Sequence, residues 1–230
     1  MAQTRREKLR DATREEIMST AWKQIGEVGA SGLSLRGIAR EMGMTAPGLY
    51  RYYKDRDALV TALLMDAFGS FTSALETGCG TRKADDHAGR FRMMCKSYFQ
   101  WAVQNPQHYM LLFGTPIQGY FFAEELGPVA RRSFLVLQGV IGEAFKAGKV
   151  KGEVAALKLP TSLKSHYEAL GKLGMPYTGV VTQLALSAWS MIHGMTSLFL
   201  YNYLAGFLQD NVDAFVEFEI KKMAKILGLE

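Results

Sequence analysis

The residues best suited to chemistry in this sequence crowd into one stretch, MTAPGLYRYYKDRDAL, residues 44–59. Tyr50 and Tyr52 carry hydroxyls that can donate to phosphate oxygens while their rings lie on sugars and methyl groups, and Arg36, Arg51 and Arg56 add positive charge. Thr45 is placed to cap a helix whose first N–H groups have no partners, which makes that helix start a seat for an anion. Pro47 costs little so early in a helix, and Gly48 leaves the backbone bare for close approach. Thr45, Ala46 and Tyr50 are the candidate base readers, whereas Leu49 and Tyr53 are expected to face inward. The plain alternative is an aromatic core helix beside a solvated arginine face.

A second pair, Trp189 and His193, stands one turn apart and shares a helix face. The imidazole can serve as an acid or base, but no nucleophile, carboxylate partner, glycine-rich phosphate loop or metal-spaced ligand accompanies it. No cofactor and no metal are therefore expected. A small all-α enzyme and a carrier of hydrophobic ligands are the competing functions, and both leave the 33–56 pattern unexplained.

The elements that must position these residues read as helices throughout. Residues 4–28 carry Ile17, Met18, Ala21, Trp22, Ile25 and Val28 at helical spacing, ending at Gly29. Ser34 caps a second, two-turn helix closed by Gly43; Thr45 caps a third; Asp55 caps a fourth carrying Leu59, Leu63, Ala67 and Phe71. A polar connection is expected over 76–89, a helix over 87–105, irregular pieces over 106–126 and a helix from Pro128 to Lys146. Weak helicity near 159–173 precedes a long helix over about 177–207 and a last one over 211–227. No strand pattern and no fixed-period repeat occur, so the fold class is all-α.

Charge separates the two ends. The 230 residues carry a formal charge of +5, and eleven of the lysines and arginines lie within the first sixty residues, whereas 173–209 contains no charged residue. Basic charge so placed suits a polyanionic partner at the N-terminal end. Cys79 and Cys95 lack metal-ligand spacing, and the charged N-terminus lacks an apolar signal core, so a cytoplasmic setting is expected.

The segment 33–64 resembles the N-terminal DNA-binding domain of the TetR family of transcriptional repressors. The resemblance rests on Leu33, Ser34, Arg36, Ile38, Ala39, Gly43, Leu49, Tyr50, Tyr52, Tyr53, Asp55 and Arg56, with arginine at the last position where lysine is common. It implies a three-helix helix-turn-helix domain over 1–60, with Arg36, Thr45, Ala46, Pro47, Gly48, Tyr50, Arg51, Tyr52 and Arg56 on operator DNA. A larger helical regulatory domain over 61–230 follows, binding an effector and forming a homodimer through about 177–207 and 211–227.

Residues 177–209 are long and apolar enough to suggest a membrane span. Gln183, Ser187, Ser190, His193, Thr196, Ser197 and Asn202 are spread through them, and lipid offers such groups no partner, so burial against neighbours and a second subunit is the expectation. Trp189, His193 and Gly194, with NPQHYMLLFGTP at 105–116, resemble the regulatory domain named WHG. Methionines and aromatics suit an adaptable apolar cavity, and Met94, Phe99, Tyr109, Met110, Phe113, Trp189 and His193 are the candidate lining for a modest apolar or aromatic effector. Ordinary core packing remains the other reading for each of them.

Overall fold

A computed structural model describes residues 4–172 and 174–230 and divides the chain into two compact units. One takes in the chain up to Phe68 together with Gln107–Gly127; the other comprises Gly69–Pro106 and Pro128–Glu230. The chain therefore passes from one unit to the other three times.

In the first unit, α1 (Arg5–Val28) starts from a reciprocal cap: the Thr4 hydroxyl accepts from Glu7 N–H, and the Glu7 carboxylate accepts from Thr4 N–H. Gly29, at φ 74°, ends it. The Ser34 hydroxyl accepts from Gly37 N–H at 3.2 Å and opens α2 (Leu35–Glu41). At its end Gly43 adopts φ 64°, with Met44 N–H reaching back to Ala39 O at 2.8 Å, a left-handed cap that turns the chain into α3 (Ala46–Tyr50). Asp55 then accepts from Ala58 N–H at 2.7 Å and starts α4 (Arg56–Gly80).

One face of each helix closes a common core. Ile17, Ala21 and Ile25 of α1 meet Leu35, Ile38 and Ala39 of α2, Leu49 of α3, and Leu59, Val60, Leu63 and Leu64 of α4. Leu111, Leu112, Ile117, Tyr120 and Leu126 pack on it from the later segment. That segment was expected within the regulatory domain. It belongs to the helix-turn-helix unit because its apolar side chains complete that core and because Tyr120 OH lies 2.9 Å from Thr61 Oγ1. This compact unit runs to Phe68, inside α4, before the chain leaves it.

The second unit contains the end of α4 with α5 (His87–Gln104), α7 (Leu126–Lys146, from Pro128 on), α8 (Thr161–Gly171), α9 (Val180–Leu200), α10 (Ala205–Leu208) and α11 (Val212–Ile226). The remaining helix, α6 (Pro106–Phe113), lies in the first unit from Gln107 on. The expected end of α8 at Leu173 lies outside the described residues. Within the second unit α5 packs against α9 and α11.

Two boundaries differ from expectation. The connection expected over 76–89 is mostly helix, since α4 runs on to Gly80. Gly78 is buried, and a Cβ there would collide with Ser97 and the Met93 carbonyl, so this glycine permits close packing on α5 and breaks nothing. The long helix expected over 177–207 stops at Leu200: Asn202 takes φ 63°, and Tyr203 N–H returns to Leu198 O at 2.9 Å. Asparagine tolerates this left-handed geometry, and the cap satisfies the last carbonyls. Among the described residues, α4 alone is long and apolar enough to cross a membrane by length and composition, and 56% of that window is buried inside the protein.

Candidate nucleic-acid interface

The side chains of α3 divide sharply. Leu49 is wholly buried and Tyr53, just beyond the helix, nearly so, as expected for the residues that hold α3 in register. Burial pushes the Tyr53 phenol up from its ordinary value. Thr45, Pro47, Tyr50 and Arg51 are exposed, and so is Arg36 on α2; Ala46 and Gly48 are half-buried. Tyr52 is half-buried because its ring packs on the head core. The Thr45 hydroxyl accepts from Gly48 N–H at 3.2 Å, so that donor is already spent inside the helix. A Cβ on Gly48 would stand 3.1 Å from the same hydroxyl, which gives the glycine a second duty: it leaves room for the cap.

Arg56 has partners within the head itself. Its Nε donates to Leu33 O at 3.3 Å, and its Nη2 donates to Ala30 O at 3.0 Å and Ser31 O at 3.3 Å. The fork thus satisfies carbonyls in the turn between α1 and α2, which gives the arginine a structural role as a strut of the head. Lysine, a point donor on a flexible stem, cannot reproduce that pattern, which makes the departure from the common residue meaningful.

Sequence reasoning missed a polar cluster in the same unit. Trp22 Nε1 donates to Asp66 Oδ2 at 3.0 Å, His108 stacks on the indole with ring centroids 3.7 Å apart, and His108 Nε2 lies 3.7 Å from the same carboxylate. The neighbouring His108 and the indole donor hold the Asp66 carboxyl below its ordinary value, against the opposing effect of burial. The partners are up to 86 positions apart, counted from Trp22 to His108, and no local pattern joins them.

The seven expected effector residues are split between the units. Tyr109, Met110 and Phe113 lie in the first, with Tyr109 fully buried and its ring 5.2 Å from that of Phe113. Met94, Phe99, Trp189 and His193 lie in the second. There Met94 and Phe99 are buried, Phe99 meets Phe199 at 5.0 Å, and Trp189 is exposed beside Phe134 at 6.1 Å. His193 is half-buried, with Nδ1 3.1 Å from Tyr98 OH and Nε2 3.4 Å from Ser197 Oγ. Desolvation lowers its pKa and favours the neutral imidazole these hydroxyls can serve. Cys79 and Cys95 are buried thiols; burial pushes Cys79 up to about 11 and Cys95 further. Neither is poised as a nucleophile.

A short helix held by its buried face, an exposed face of Thr, Tyr and Arg, and a glycine turn from the preceding helix define a helix-turn-helix regulator. Residues 17–63 match the model described as bacterial regulatory proteins, tetR family, and residues 91–223 match the tetracyclin repressor-like C-terminal domain. The chain belongs to the TetR family and is a TetR-type transcriptional regulator. It is 29% identical over 211 residues to an HTH-type transcriptional regulator of Mycobacterium tuberculosis, covering 90% of this chain and 88% of that one. Among solved structures, that of a regulatory protein, SCO4313, is similar with TM-score 0.77 and 32% identity, over 96% of this chain and all of that one. A protein of unknown function from Rhodococcus sp. RHA1 shares the fold with TM-score 0.69 and 23% identity, over 94% of this chain and 95% of that one.

Proposed function

We propose that the protein is a repressor that binds operator DNA as a homodimer and is released by a small apolar or aromatic effector. The observation that carries the DNA part is the division of α3, with Leu49 wholly buried while Thr45, Pro47, Tyr50 and Arg51 face solvent. Arg36 supports them from α2, Ala46 and Gly48 let a strand approach closely, and the Tyr52 hydroxyl donates to phosphate. Base reading falls to Thr45, Ala46 and Tyr50, which offer few bidentate groups, so methyl contacts, water and duplex shape contribute to specificity.

The effector is assigned to the second unit, which holds Met94, Phe99, Trp189 and His193, with the imidazole as the polar anchor. Trp189, His193 and Gly194 of the WHG resemblance lie in this unit too, whereas most of its other stretch, 105–116, lies in the first. Tyr109, Met110 and Phe113 are given a packing role in the DNA-binding unit. Ligand in the second unit acts on the first by favouring one arrangement of the connections at Phe68, Pro106 and Gly127, and only differential affinity for the two arrangements shifts the equilibrium. A cytoplasmic setting follows from this role.

Enrichment of duplexes from a random-sequence pool, followed by footprinting, tests the reading. Recovery of a two-fold symmetric site whose affinity falls steeply with salt is expected. Failure to enrich any duplex overturns the reading. For the effector, Trp189→Ala should change the ligand response and leave the footprint as it was; a lost footprint with lost folding would make Trp189 a packing residue instead.

A further inference from the structure

The matched helix-turn-helix region begins at residue 17, yet α1 begins at Arg5. Three turns of helix therefore precede the shared core, and their sequence places basic side chains on a defined face. Ile17, Ala21 and Ile25 mark the face of α1 that enters the core. Continued towards the N-terminus at the same spacing, that face carries Thr13, Arg10 and Arg6. Arg6 stands 11 residues before Ile17, about 16 Å further along the axis at helical rise. The helix thus overhangs its own core with arginines where the core has isoleucine and alanine.

The overhang faces α3. A groove of about 710 Å³ lies between them, with Thr4, Arg6, Glu7, Leu9, Arg10 and Thr13 on one side and Met44, Gly48, Arg51 and Tyr52 on the other. Its charged lining is three arginines against one carboxylate. That carboxylate, Glu7, is turned back onto the helix start, accepting from Thr4 N–H at 2.7 Å and from Thr4 Oγ1 at 2.9 Å. These bonds hold its pKa below the ordinary value and fix the first turn of α1. No carboxylate among the described residues forms an ion pair with Arg6, Arg10 or Arg51. The groove therefore has arginines on both walls and a bare glycine on the α3 wall.

We propose that this groove seats one sugar-phosphate strand of duplex DNA, held from α1 by Arg6 and Arg10 and from α3 by Arg51 and Tyr52. The inference rests on the reading that α3 enters the major groove, and it adds a second grip from outside the shared domain. Charge complementarity selects the occupant: a polyanion with evenly spaced phosphates matches arginines one helical turn apart. The contacts are to backbone, so they strengthen binding to every sequence alike.

The test measures affinity against salt for the enriched duplex, using the full-length protein, the double variant Arg6→Ala/Arg10→Ala, its counterpart Arg6→Lys/Arg10→Lys, and Arg51→Ala. Removal of two phosphate contacts should lower the slope of log K against log salt by about 1.8 per chain, with unchanged sequence preference. The lysine pair should keep most of that slope. An alanine pair with unaltered slope and affinity, beside a weakened Arg51→Ala variant, overturns the inference and leaves the repressor reading standing. A wild-type protein that binds no duplex overturns both.

Discussion

Replacing Arg56 by alanine removes the donors that hold three carbonyls between α1 and α2. Charged hydrogen bonds of this kind contribute roughly 1.5–3 kcal/mol, and part of that is the cost of leaving carbonyls unpaired. Arg56→Ala should therefore lower the unfolding free energy by about 2 kcal/mol, read by chemical denaturation, and Arg56→Lys should recover little of it. A variant with unchanged stability but uniformly weaker DNA binding would return Arg56 to the phosphate role. His193 gives a second test at this scale. Its folded pKa lies below the ordinary 6.5 because burial disfavours the charged ring, so the folded state binds fewer protons than the unfolded one. The resulting stability is complete above about pH 6.5 and is lost as pH falls through the depressed folded value. His193→Gln should flatten this part of the stability profile. An unaltered fall below pH 6.5 in the variant would assign the dependence to other groups.

At the scale of elements, the turn between α2 and α3 fixes how the recognition helix leaves the head. Gly43 at φ 64° makes that turn, and a side chain in left-handed geometry costs about 1–2 kcal/mol. Gly43→Val should lower stability by at least that much and weaken DNA binding, whereas Gly43→Asn, which tolerates the conformation, should retain most of both. Equal losses for valine and asparagine would mean that space, not backbone geometry, sets the requirement. The turn was legible in the sequence because capping is local: Ser34, Gly43, Thr45 and Asp55 each act on residues within a few positions. Gly78 was not legible, since a glycine in a polar run reads as a breaker until α5 is seen against it. The membership of 107–127 was also hidden. It depends on Trp22 meeting His108 and Thr61 meeting Tyr120, pairings that helical periodicity does not encode. For the same reason the split of the effector set was invisible, because residue type marks a side chain as fit for a cavity and says nothing of which unit will hold it.

For the whole molecule, large apolar side chains stay exposed on α9, α10 and α11 and on the turn after α9. Tyr203, Phe207 and Phe218 are 68%, 86% and 65% exposed, and Leu198, Tyr201 and Ile226 are exposed with them. Scattered apolar residues are normal on a soluble surface, but this many large ones on consecutive elements of one unit suit a subunit interface. Leu198, Tyr201, Tyr203 and Phe207 all belong to a stretch without a charged residue, and a partner of the same kind would supply apolar cover without leaving charges unpaired. Phe207→Asp/Phe218→Asp should therefore convert a species of two chains into one of a single chain by light scattering, with helix content retained because both side chains are outside the core. DNA binding supplies the linked readout. Two heads on successive major-groove faces sit 34–36 Å apart or a multiple of that, and their joint engagement raises affinity through effective concentration by about 10²–10⁴. The aspartate pair should lose that factor on a symmetric site, halve the salt slope, and bind an isolated half-site as the wild-type head does. Retention of the two-chain mass by the variant would move the interface away from α10 and α11.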